Sequence, residues 1–134
     1  MLEICAVNDL EVILNKELRS RAERGRNRRT TEFLAVNKGV EVALLVYEDW
    51  SEKSLGFIYE VYVLPAYRNN GFGVGLLSFA HTKAVELGCK TIELNARPFD
   101  QSIEQKWLYT WYEKNGYVKV NQTSERMKLH ILNQ

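Results

Sequence analysis

The stretch "VLPAYRNNGFGVGLL", residues 63–77, decides how the chain is read. An apolar run stops at Pro65, passes through Arg68, Asn69 and Asn70, and then sets glycines at 71, 73 and 75 directly before Leu76 and Leu77. Glycine costs about 0.5–1 kcal/mol relative to alanine inside a helix or strand. Three of the chain's eight glycines on alternate positions therefore need a reason. A strand end, a tight loop and the first turn of a helix supply one, because the first helical N–H groups have no internal partner and with the helix dipole attract an anion, most commonly a phosphate. Arg68 and the two asparagines add charge and hydrogen bonds beside it. The residues alone leave a second reading open, in which the glycines let the helix pack tightly on a sheet.

Working outward, residues 55 to 64 are rich in β-branched and aromatic residues and read as the strand that Pro65 stops. After Gly73 the period becomes helical, with Leu76, Leu77, Ala80, Ala84 and Leu87 on one face and Gly88 as the stop. Upstream, residues 2 to 7 read as a strand. Asn8 or Asp9 then caps a helix carrying Leu10, Ile13, Leu14, Leu18 and Ala22 and ending near Gly25. Residues 32 to 37 and 40 to 48 form a hairpin across Lys38-Gly39. Downstream, residues 90 to 96 alternate as a strand with Ile92, Leu94 and Ala96 on one side. Ser102 and Gln105 suggest a capping box for a helix through Lys114 that stops at Gly116. Strands at 117 to 120 and 125 to 132 finish the chain. The order β-α-β-β-β-α-β-α-β-β predicts one α/β domain over residues 1 to 134, a mixed sheet with helices on both faces.

The 134 residues, 46% hydrophobic, suffice for one core. A net charge of +1 points to neither a nucleic-acid nor a membrane partner. Cys5 and Cys89 lack metal or redox spacing and read as small core residues of a reducing compartment, so no metal is expected. No apolar run reaches membrane-span length and the N-terminus lacks a signal-peptide pattern, so a cytoplasmic protein is expected. His81 and His130 have no triad partners and read as structural or surface residues.

The spacing G-F-G-V-G-L matches neither GxGxxG nor GxxxxGK[ST], which argues against dinucleotide and P-loop folds. Arg68-Asn69-Asn70-Gly71-Phe72-Gly73 instead resembles the R/Q-x-x-G-x-G/A signature of the GNAT superfamily of N-acetyltransferases. "VYVLPAYR" is similar to the end of that family's fourth strand, "WYEKNGY" to its aromatic-Tyr-Glu-Lys-x-Gly-aromatic helix end, and "RMKL" to its closing strand. The likeness runs from about Leu55 to Leu132, and the first half of the chain carries no diagnostic motif. The resemblance implies acetyl-CoA as cosubstrate, its pyrophosphate on the N–H groups of Asn69, Asn70, Gly71, Phe72, Gly73, Val74 and Gly75, with Arg68 beside them. It implies a pantetheine arm in a gap between the fourth and fifth strands, paired with the backbone of Val61, Tyr62 and Val63. The implied reaction is direct transfer of the acetyl group to a primary amine, with no acyl-enzyme.

By family position Tyr112 is the acid that protonates or hydrogen-bonds the departing sulfur. On helix spacing alone it reads as a core aromatic beside Trp107, Leu108 and Trp111; the glycine loop and the "YEK.G" context favour the acid. Glu60, the one acid in its strand, is costly there unless paired or used. The resemblance implies a carboxylate here, or one residue earlier where this chain has Tyr59, as the base for the amine through water; the residues alone equally allow an arginine partner or a solvent-facing side chain, on the same face as Tyr62 and opposite Tyr59. The family often places an asparagine seven residues before the tyrosine, and this chain has Gln105. "RSRAERGRNRR", residues 19 to 29, carries six arginines. It reads as a solvated helix end and loop, as the wall of an acceptor pocket for an anion, or as an RNA or aminoacyl-tRNA contact. A CoA-binding module without turnover is a further alternative. The acceptor is expected to be an amine-bearing small molecule or protein, and exposed aromatics around Trp50 and Trp107 leave room for a homodimer contact.

Overall fold

A computed structural model describes residues 2–98 and 101–131. Its elements are β1 (Leu2–Val7), α1 (Lys16–Gly25), β2 (Thr30–Asn37), β3 (Val40–Trp50), β4 (Leu55–Val63), α2 (Phe72–Glu86), β5 (Thr91–Asn95), α3 (Gln105–Lys114), β6 (Val118–Lys119) and β7 (Arg126–His130). The strands form one seven-stranded sheet in the order β1-β2-β3-β4-β5-β7-β6. All pairs are antiparallel except β4 with β5.

The longest buried run is in β3, where residues 42 to 47 are all buried. Alternation sends Ala43, Leu45 and Tyr47 to one core cluster and Leu44 and Val46 to another, so both faces are covered. The first cluster takes Leu76, Leu77, Ala80 and Ala84 of α2, and Tyr112 of α3; the second takes Leu18 and Ala22 of α1. The predicted order and the helices on both faces stand. Lys38 and Gly39 turn the β2–β3 hairpin with φ of 52° and 78°, the left-handed pair that matches strand twist.

Several local expectations are corrected. The first helix is broken: Asp9 caps a 3-10 turn at Leu10–Val12, and the α-helix starts only after Asn15, whose Oδ1 accepts from Leu18 N at 3.0 Å. The break holds because the Glu41 carboxylate accepts from the N–H groups of Leu14 and Asn15 at 3.0 and 2.7 Å. Leu14 is then exposed while Ile13 is buried. Glu41→Ala is expected to lower stability by about 1–2 kcal/mol, read by urea unfolding, since two backbone donors lose a charged acceptor. An unchanged midpoint would leave the break to Asn15 alone.

Leu87 is exposed rather than on the buried face of α2. The residue before α3 is Glu104, with no side-chain cap, so Ser102 and Gln105 form no capping box; Gln105 Nε2 donates to Ala96 O and to Glu125 Oε2. Cys89 is buried as expected, but Cys5 is exposed on the edge strand. The expected end of the last strand at residue 132 lies outside the described residues. Among those residues, no helix is long and apolar enough to cross a membrane.

Candidate active site

The parallel pairing of β4 with β5 runs only from Leu55↔Thr91 to Ile58↔Leu94. Beyond it β4 continues to Val63 while β5 ends at Asn95, so the two strands part. A β-bulge coincides with the parting: Tyr47 pairs Ile58 and Val46 pairs Glu60, leaving Tyr59 as the extra residue. Bulges sharpen twist and re-aim side chains. Here the bulge shifts the alternation, so that Ile58, Val61 and Val63 all pack with the α2-side cluster while Tyr59 and Tyr62 pack with the α1 side. Tyr59 therefore does not lie opposite Tyr62, as uninterrupted alternation predicts.

Past Val63 the chain makes a 3-10 turn at Pro65–Tyr67. Arg68 Nε donates to Val63 O at 2.9 Å, tying the loop to the strand end. Gly71 then adopts φ of 79° at the helix N-cap, in open space and in the backbone region that disfavours a side chain. Its carbonyl accepts from Gly75 N at 3.0 Å. The N–H groups of Phe72, Gly73 and Val74 accordingly have no intrahelical partner and are free to receive an anion.

These parts line one cleft of about 820 Å³. Of the residues expected there, Val61, Tyr62, Val63, Arg68, Asn69, Gly71, Phe72, Gly73, Val74 and Tyr112 are on its wall. Three expected residues do not line it: Asn70, Gly75 and Glu60, the last of which faces a neighbouring cavity. Asn70 Nδ2 donates to the carbonyls of Tyr67 and Arg68, bracing the turn. Gly75 faces Leu2, whose Cδ2 lies 3.2 Å from where a Cβ would stand. Gly73 serves packing as well, because a Cβ there would meet the Trp111 ring at 2.9 Å. Both readings of the glycines thus apply, at different positions.

Trp107 and Trp111, stacked at 6.1 Å with an interplanar angle of 10°, form part of the opposite wall. The sequence places Trp107 both on a buried helix face and among exposed aromatics, and the ring is 55% exposed. The exposed ring adds to the cleft a wall that the sequence reading missed. Tyr112 is buried, edge-on to Trp111 and Tyr117. Burial, and then the negative charge of Glu60, pushes its phenol well above the ordinary value, so the hydroxyl stays a donor at neutral pH.

Tyr112 also lines a small neighbouring cavity with Glu60, Tyr59, Asn95 and Arg97, which shares Val61 and Tyr62 with the cleft. Glu60 is buried and paired: Arg21 Nη1 donates to its Oε2 at 2.5 Å. Burial pushes this carboxyl up, and the arginine pulls it back. Among the described residues no three of His, Cys, Asp and Glu converge.

Of the arginine-rich segment, three members are engaged internally. Arg21 joins Glu17 and Glu60. Arg26 donates to Glu32 and to the carbonyls of Val7 and Asn8. Arg29 pairs with Glu52 and stacks 3.4 Å over Trp50. Arg24 and Arg28 are exposed.

A family model described as "Acetyltransferase (GNAT) domain" matches residues 29–119. No curated protein matches the chain in sequence. Among solved structures, the ribosomal-protein-S18-alanine N-acetyltransferase from Escherichia coli superposes with a TM-score of 0.71 at 16% identity, over 100% of this chain and 96% of that one. Aminoglycoside 6'-acetyltransferase type Ii gives 0.72 at 16% identity, over 98% and 99%. A GNAT family acetyltransferase from Elizabethkingia anophelis with acetyl-CoA bound gives 0.66 at 16%, over 97% and 98%. At these identities the likeness concerns the fold.

Proposed function

Since the chain belongs to the GNAT acetyltransferases and is thereby an acyltransferase, we propose that it moves the acetyl group of acetyl-CoA to a primary amine by direct attack in a ternary complex. The observation that carries this reading is the conjunction of a β4 strand that runs on to Val63 past its last ladder pair with β5, Ile58↔Leu94, and a helix N-terminus at its end. A thin arm with amide groups can pair along that strand, and a pyrophosphate can end on the N–H groups of Phe72, Gly73 and Val74. The cleft volume suits such a ligand. Acetyl-CoA supplies the activated thioester; the chain supplies position, polarity and protons.

Tyr112 stands where the two cavities meet and offers a phenol O–H to the leaving sulfur. Its raised affinity for the proton favours a hydrogen bond on that sulfur over outright release. Glu60, across the junction, takes the proton of the attacking amine, directly or through water. The carbon–nitrogen bond forms as the carbon–sulfur bond breaks, and the thiolate collects its proton from Tyr112 or solvent.

An RNA or aminoacyl-tRNA role for the arginine segment is weakened by the internal pairs of Arg21, Arg26 and Arg29. Calorimetric titration with acetyl-CoA, desulfo-CoA and ADP tests the reading. Micromolar acetyl-CoA binding that falls sharply for ADP is expected, because ADP lacks the arm that pairs with β4. Equal affinity for both would confine recognition to the helix end, and no binding would overturn the proposed activity.

A further inference from the structure

Arg21 comes from the arginine-rich segment of α1, outside the cleft, yet it is one of only three buried polar or charged residues among those described. Its Nε donates to Glu17 Oε2 at 2.7 Å, its Nη1 to Glu60 Oε2 at 2.5 Å, and its guanidinium lies 3.6 Å over the Tyr62 ring. Both Glu60 and Tyr62 line the small cavity beside Tyr112. An arginine fixed at three points in this way determines where those two side chains stand. The ion pair engages Glu60 Oε2 alone, so Oε1 takes no part in it.

We infer that Arg21 is a positioning residue of the site: it holds the Glu60 carboxylate ionised and the Tyr62 ring in place at the junction of cleft and cavity, coupling α1 to the amine's proton transfer. The inference rests on the acetyl-transfer reading above for its catalytic meaning, and on geometry alone for the charge coupling. Among the described residues, the charged or titratable groups around Glu60 are Glu17, Arg21 and Arg24 of α1, Tyr112 of α3, Tyr59 and Tyr62 of β4, and Arg97 on the cavity wall. Arg97 is spent on Glu125, at 3.2 Å, and Glu17 opposes ionisation. Arg21 is the cation in direct contact. An opposite charge at hydrogen-bond distance favours the ionised carboxylate, so removing it raises the pH at which Glu60 loses its proton. If that carboxylate takes the amine's proton, activity rises with pH through this ionisation, and the acid limb moves to higher pH.

The test is a pH titration of carboxyl-13C-glutamate-labelled protein by NMR, with Glu60→Gln identifying the signal. In Arg21→Met the Glu60 midpoint is expected to rise by more than about 1 pH unit. Arg21→Lys, which keeps the charge, is expected to rise less. With an acceptor in hand, the acid limb of kcat/KM follows the same order. An unmoved midpoint in Arg21→Met, or equal rises in both variants, would overturn the inference. If Arg21→Met does not fold, the double variant Arg21→Met/Glu60→Gln decides. Recovery of folding shows that Arg21 holds the Glu60 charge, and failure to recover assigns Arg21 to packing and overturns the proposal. Acetyl-CoA titration of the wild-type protein separates the two readings: absent binding removes the proposed activity and leaves the NMR result to judge the coupling.

Discussion

Tyr112→Phe is expected to bind acetyl-CoA as the wild type does and to turn over at least about 100-fold more slowly. The substitution is close to a pure chemical deletion. The ring stays buried, edge-on to Trp111 at 5.0 Å and to Tyr117 at 5.8 Å, so phenylalanine keeps the packing. What is lost is one O–H where the cleft meets the Glu60 cavity. The phenol's affinity for its proton, raised by burial and then by the Glu60 charge, makes it a donor that stays protonated throughout the working pH range. Its removal therefore lowers kcat without introducing a new ionisation. The check is kcat from thiol release on an acceptor found by screening, beside calorimetric affinity for acetyl-CoA. An unchanged kcat would assign the sulfur's proton to solvent, while a fall in affinity equal to the fall in rate would make Tyr112 a wall of the cleft rather than a donor.

The second large effect belongs to the glycines, and position decides its form. At Gly71 the backbone has φ of 79° with nothing near the missing Cβ. Gly71→Val should therefore strain the N-cap and turn the N–H groups of Phe72, Gly73 and Val74 away from their common target. At Gly73 the conformation is ordinary, and a valine instead drives into the Trp111 ring, which walls the cleft. Both variants are expected to raise the acetyl-CoA Kd more than about tenfold, equivalent to more than about 1.4 kcal/mol. They should differ in their fluorescence, since only Gly73→Val displaces a tryptophan. Gly75→Ala is the control: its Cβ meets the far end of Leu2 rather than the cleft, and affinity should hold. Wild-type affinity in both valine variants would remove the loop from the binding site.

Much of the fold was legible because its signals are local. The period change at Gly73, the Pro65 stop, the Lys38-Gly39 turn and the alternation of residues 90 to 96 each express a rule acting over a few residues. Local rules failed where a distant group competed. The first helix reads as continuous from Asp9 because its apolar spacing is helical, but Glu41, across the sheet in sequence, takes the N–H groups of Leu14 and Asn15. Ser102 and Gln105 fit a capping box, but Gln105 is drawn to Glu125 and to the Ala96 carbonyl. A one-residue bulge at Tyr59 is invisible in the sequence, and it shifts the alternation for the remainder of β4.

By itself the sequence determined the element order, the glycine loop at a helix start, and the family resemblance, since each depends on residues adjacent along the chain. Only the tertiary structure decided which of the glycines face the cleft, that Trp107 stands on its wall, and that the arginine paired with Glu60 comes from α1. The reason is physical. Burial, close approach and charge pairing join groups far apart in the chain, and Arg21 and Glu60 meet across 39 positions because α1 and β4 pack face to face.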